Sequence, residues 1–272
     1  MIAPLFSAAL IAAAPDPAPR FAPPLNQWLT YEQVEERNDA GAVTRYHIAR
    51  RIRFSVEDAG YLAEVETLTI DGGIASGPGA LFESAMAALK GSTIRLHLDA
   101  QGAITAIDDQ AALMARLRDA IVAAATAMAS PDEHAALATR LAAPLTAMPE
   151  PLQRRMLGSV LGPLIADASQ SGAAPPEPVK QQGASPFGGL AQLSGTRRRW
   201  IDATGRLIVE TTLSGTAQSG KGGPPAEMRV TSRDTIDPAT RLVIDSITTR
   251  RTTIGTAISL VENHTTLALA PR

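Results

Sequence analysis

The sequence predicts an α+β protein: a mainly antiparallel, curved β-sheet of about ten strands in meander order, with a mid-chain helical block packed on one face. Three observations predict it. Residues 108–168 are rich in alanine and leucine at helical spacing, with alternating, β-type sequence on both sides. A similar turn recurs between the alternating runs, as Asn38-Asp39-Ala40-Gly41, Glu57-Asp58-Ala59-Gly60, Asp99-Ala100-Gln101-Gly102 and Asp202-Ala203-Thr204-Gly205, with Asp237-Pro238-Ala239-Thr240 as a relative. An early Asn or Asp accepts a backbone N–H inside such a turn, and a closing Gly takes positive φ, so five of them imply a meander. The hairpin around residues 57–60 is also consistent in itself. If Val56 faces Tyr61, then Phe54 faces Ala63 and Ile52 faces Val65 on one side, while Arg53 faces Glu64 and Arg51 faces Glu66 on the other. A slip of one residue would turn the apolar set to water.

In chain order, residues 1–13 form an apolar stretch ending in small residues and read as a secretory signal cut after Ala13. The stretch is too short to span a bilayer and lacks the usual leading Lys or Arg. Residues 14–25 read as a Pro-rich extended tether, and 26–272 as a single β-rich domain. Strands are expected at 28–36, on both sides of the 57–60 turn, and at 93–98, 103–107, 196–202, 206–215, 226–237, 241–254 and 256–268. On the strand before that turn, Tyr46, Ile48, Ile52, Phe54 and Val56 share an apolar face with one discordant member, Arg50. That residue is either an edge or rim residue or a buried charge kept for a ligand.

A short helix is expected over 79–90, and the helical insert 108–168 divides into three. The first segment aligns Met114, Leu117, Ile121 and Met128. The second opens with Ser130-Pro131-Asp132-Glu133, a cap residue, a first-turn proline and Glu at the third position, and continues through Leu137, Leu141 and Leu145. The third carries Leu152, Met156, Leu157, Val160, Leu161, Leu164 and Ile165, with Gly158 and Gly162 placed for close backbone approach. Pro144 and Pro163 should bend or divide these helices. Residues 169–195, rich in Pro and Gly, read as a flexible loop, and 218–225 as a second low-complexity insert.

Composition excludes several functions. A formal net charge of −2 gives no bulk attraction to nucleic acid, and 4% aromatic residues leave few stacking platforms. Cysteine is absent, so disulfides, thiolate metal sites, cysteine nucleophiles and a lipid-anchored cysteine are ruled out. Gly215 to Gly222 has the glycine and lysine spacing of a phosphate loop, but Gly222 stands where Ser or Thr would bind magnesium, and Gly223-Pro224-Pro225 cannot open the required helix. His47, His97, His134 and His264 show no metal-ligand spacing, and the Asp108-Asp109 pair reads as a helix cap. No cofactor, metal or catalytic constellation is expected.

An apolar leader, a long antiparallel meander and an apolar mid-chain helical segment together resemble bacterial lipoprotein and lipid carriers of the LolA and LppX type. The likeness lies in pattern over most of the mature chain, and extends to exported β-rich proteins with no assigned activity. It implies a curved, incompletely closed sheet whose helices help enclose a space for acyl chains. The expected function is therefore a soluble periplasmic protein holding a lipid or other apolar ligand in a cleft lined by Tyr46, Ile48, Ile52, Phe54, Leu117, Ile121, Leu157 and Leu161. The same side chains would serve equally as a dry core. The alternative function is a non-enzymatic cell-envelope module that holds a protein partner through an exposed sheet edge or the Pro/Gly loop.

Overall fold

The computed structural model describes residues 21–39, 41–72, 86–128, 134–167, 172–184, 190–217 and 225–270. Its strands are β1 (Trp28–Asp39), β2 (Ala42–Glu57), β3 (Gly60–Asp71), β4 (Thr93–Leu98), β5 (Ile104–Ile107), β6 (Ala174–Ala184), β7 (Leu190–Ile201), β8 (Leu207–Ala217), β9 (Ala226–Ile236), β10 (Val243–Ile254) and β11 (Ala257–Leu269). Between β5 and β6 lie helices α1 (Gln110–Met128), α2 (His134–Thr146) and α3 (Glu150–Gly158), then a 3-10 turn, Gly162–Leu164. All eleven strands form one open, curled sheet in the order β5-β4-β3-β2-β1-β11-β10-β9-β8-β7-β6, and every neighbouring pair is antiparallel. The chain starts mid-sheet, meanders out to the β5 edge, crosses through the helices to the β6 edge, and meanders back to pair β11 with β1.

The β2–β3 hairpin has the register the sequence predicts, with Val56 opposite Tyr61, Phe54 opposite Ala63 and Ile52 opposite Val65. Outside, Arg51 meets Glu66 at 2.6 Å, Arg53 pairs with Glu64, and Trp28 of β1 lies under both guanidinium groups, 4.5 and 4.7 Å from its ring centroid. These exposed pairs fix register more than they add stability, at roughly 0.2–1 kcal/mol each. Near the far end Leu68 forms a bulge, because Ala49 faces Thr69 while Arg50 faces Thr67. The turn itself differs from expectation: only Asp58 and Ala59 lie between the strands, so the positive φ falls on Asp58 (+41°) instead of Gly60. Gly60 is needed for another reason, since a Cβ there would stand 1.9 Å from the carbonyl oxygen of Leu98 on β4.

The helices fill the inner face of β2–β5. Leu113, Met114 and Leu117 of α1, Leu157 of α3, and Val160, Leu161 and Leu164 beyond it form one buried cluster with Ile52, Phe54, Val65, Ile94, Leu96 and Leu98. The described side chains of α2 are exposed or half-buried, and this helix lies on α1. Gly158 does allow close approach, because a Cβ there would sit 2.7 Å from Ile104 Cδ1, whereas Gly162 has open space. Pro163 falls in the 3-10 turn that ends the helical block.

Three expectations are corrected. Residues 21–25 are docked instead of forming a tether: Phe21 is fully buried, with edge-on ring contacts to Phe54 (5.6 Å) and Tyr61 (5.5 Å). Its N–H bonds the Ala100 carbonyl and that of Ala22 the Thr240 carbonyl, so the segment joins turns from opposite halves of the curled sheet. Within 169–195, expected as a loop, residues Ala174–Ala184 form edge strand β6 paired to β7. Its prolines supply no ladder N–H, which an edge strand with one partner tolerates. β7 likewise starts at Leu190, earlier than expected. The signal stretch, most of the 79–90 helix, the Ser130–Glu133 cap and residues 218–224 lie outside the described residues. Among the described residues no helix is long and apolar enough to cross a membrane.

Candidate functional site

Alternation sends Tyr31, Gln33 and Glu35 of β1 and Ile48, Arg50, Ile52 and Phe54 of β2 to the inner side of the sheet. Pairing with β11 places Leu267, Thr265 and Asn263 beside the β1 residues, and Ser246 and Thr248 of β10 follow. Where the helical plug ends, Tyr31, Gln33, Glu35, Ile48, Arg50, Ser246, Thr248, Asn263 and Thr265 border a cavity of about 530 Å³ inside the curl. Its opposite wall is mostly apolar, with Leu193 of β7, Leu213 of β8, Met228 and Val230 of β9, and Val160 and Pro163 after α3, interrupted by Gln181 of β6 and Ser159. The volume falls within the roughly 300–1,000 Å³ of small-molecule sites.

Arg50 is the discordant group of this lining. It is 4% exposed, so the rim reading is corrected: the charge is buried. Its guanidinium carbon stands 5.4 Å from the Tyr31 ring centroid, and its Nε, fully buried, has no hydrogen-bond partner among the described residues. Burial pulls the Arg50 pKa down, opposed by Tyr31, and pushes the Tyr31 phenol up, opposed by Arg50. An arginine nonetheless stays charged near neutrality. Glu35 is turned to Arg37, whose Nε lies 2.7 Å away, and Arg250 adds a second guanidinium to the lining. Arg241 shows the opposite solution. Equally buried, it donates to the Ala166 carbonyl at 2.7 Å and the Asp167 carbonyl at 2.5 Å, clamping the end of the helical block to the β9–β10 turn.

Of the eight residues proposed from sequence to line a cleft, Ile48 alone borders this cavity. Ile52, Phe54, Leu117, Leu157 and Leu161 are buried in the packed cluster, with Ile121 against it. Tyr46 lies on the inner row but under Arg37, 5.5 Å from its ring centroid. The sequence reading missed Gln33, Glu35, Arg250 and the whole apolar wall. Leu213, Met228 and Val230 do stand in phase on their strands, but the wall they form depends on how far the sheet curls. A more open groove of about 750 Å³ runs between the β4–β5 turn and α3, beside Gly102, Ile104, Pro151 and Arg154.

On the outer face of the sheet, His97 of β4 is held at both ring nitrogens, by Glu57 at 2.5 Å and Asp108 at 2.9 Å. The hydrogen bond to Asp108, then that to Glu57, raises its pKa. Of the Asp108-Asp109 pair expected at a helix start, Asp109 stands immediately before α1, its carbonyl accepting the N–H of Leu113 at 3.0 Å, while the Asp108 carboxylate serves His97. Among the described residues no group of three or more His, Asp and Glu is arranged to hold a metal. No family model matches the chain, and no curated protein matches it.

Proposed function

We propose that this is a soluble periplasmic protein, without a catalytic role, that binds a lipid or other apolar ligand inside its curled sheet. The observation that carries the reading is the cavity of about 530 Å³ lined on one side by Val160, Leu193, Leu213, Met228 and Val230. A wall of that kind removes apolar ligand surface from water, at roughly 25 cal/mol per Å². The packed half of the sheet gives this wall a rigid frame. The apolar stretch 1–13 supports export, and the likeness to LolA- and LppX-type carriers supports the ligand class. The partner-module alternative is weaker, because β6, one edge of the sheet, carries Pro175, Pro176 and Pro178. Prolines take away the free N–H groups that an added strand would need.

The test is native mass spectrometry of protein purified from periplasm, followed by organic extraction. A stoichiometric adduct that extracts as lipid is expected on the wild-type chain, and its loss in Leu213→Trp, which fills the cavity from the apolar wall. A bare mass for wild type would overturn the reading and redirect the search to protein partners.

A further inference from the structure

The cavity is not uniformly apolar, and its polarity is uneven in charge. Two arginines and one carboxylate border it, and that carboxylate, Glu35, is already turned to Arg37. The lining is therefore net positive, and its most buried cation is Arg50, with no carboxylate partner among the described residues. A buried guanidinium that has Tyr31 but no carboxylate beside it is costly, and an apolar residue of similar volume would ordinarily pack there at no loss of stability. Retaining the charge makes sense if an anion enters with the ligand. A guanidinium offers a planar fork that matches a carboxylate. Gln33, Asn263 and Thr265 supply neutral hydrogen-bonding groups on the same side, and across the cavity stand the apolar side chains Leu193, Leu213, Met228 and Val230, with Gln181 of β6 beside Leu193.

We propose that the ligand is a single-chain amphipathic carboxylate, a long-chain fatty acid, whose head group binds Arg50 while its acyl chain lies against Leu193, Leu213, Met228 and Val230. This rests on the ligand-binding reading above and specifies it. The cavity's size suits one acyl chain better than the two of a phospholipid, and its net positive lining selects against cationic amphiphiles.

Three probes with the same tail test it: palmitate, hexadecanol and hexadecyltrimethylammonium, each delivered from a cyclodextrin complex, below the concentration at which it aggregates, to the purified, delipidated chain and measured by displacement of a fluorescent apolar dye. Palmitate is expected to bind one to one, ~10- to 100-fold tighter than hexadecanol, and the cation to bind weakest. In Arg50→Leu the palmitate affinity should fall to that of hexadecanol, while Arg50→Lys should keep part of the difference. Equal binding of palmitate and hexadecanol by wild type would overturn the Arg50 assignment while leaving an apolar site in place. Failure of all three probes to bind would overturn the ligand-binding reading itself. The head-group comparison is made on wild type, so it stands even if a variant fails to fold.

Discussion

The two halves of the sheet alternate in the same way but have different interiors. The inner side of β2–β5 is filled: Ile52, Phe54, Val65, Leu96 and Leu98 meet Leu117, Leu157, Leu161 and Phe21 with little space left. The inner side of β7–β10 carries two smaller apolar patches, Leu193, Leu213 and Met228 in one and Leu207, Val209 and Ile236 in the other. Between them lie Arg197, Arg199, Asp234 and Ser246, with both arginines near Glu177 and Ser246 donating to Asp234 at 2.6 Å. Strand pattern alone did not make one half a core and the other a cavity wall. The helices did, by covering the first and ending before the second.

The largest expected effect separates these halves directly. Phe54→Ala removes a packed ring from a filled cluster and should destabilise by about 3–5 kcal/mol, whereas Leu213→Ala enlarges a space that already exists and should cost about 2 kcal/mol. Urea unfolding of both variants measures the difference, and equal losses would mean that the cavity half is as tightly packed as the other.

A smaller effect probes the seam between the halves. Gly102 has φ +87°, and a Cβ there would meet Ile165 at 2.9 Å and Phe21 at 3.0 Å, the two residues that tie the β4–β5 turn to the opposite side. Gly102→Ala should therefore cost about 1–3 kcal/mol and expose the N-terminal segment to limited proteolysis. Wild-type stability and cleavage pattern would show that the seam tolerates displacement.

The smallest effect is electrostatic and confined to the filled half. The two carboxylates raise the folded-state pKa of His97 above its ordinary 6.5. The stability they confer is fully present below about pH 6.5 and is lost as pH rises through the raised folded value. The thermal midpoint of wild type should fall across that window relative to His97→Gln. Parallel pH curves for the two proteins would show that the contacts contribute nothing.

Much of the fold is legible in the residues. The Arg51/Glu66 and Arg53/Glu64 matches set the β2–β3 register, and Asp99 and Asp202 accept the turn N–H groups their positions suggest, from Gln101, Ala103, Thr204 and Arg206. These are interactions between near neighbours, where local geometry leaves few options. The candidate site was less legible. Phe54 and Leu161 look the same as Leu213 and Met228 in an apolar pattern, and nothing local says which will face a helix. A Pro-rich segment gave no sign that it would be an edge strand, because the pairing that holds it comes from β7.

What the sequence determined by itself was the class of fold, the hairpins and their inward and outward faces, and the oddity of Arg50 on an apolar row, all consequences of two-residue periodicity and turn chemistry. Only the tertiary structure decided that β1 and β11 join the two halves of the sheet at its middle and that Phe21 and Arg241 draw those halves together. It also decided that Arg50 lies beside a cavity and not at a rim. Those outcomes depend on contacts between residues far apart in the chain, and on where a fixed volume of helix comes to rest, which no local pattern encodes.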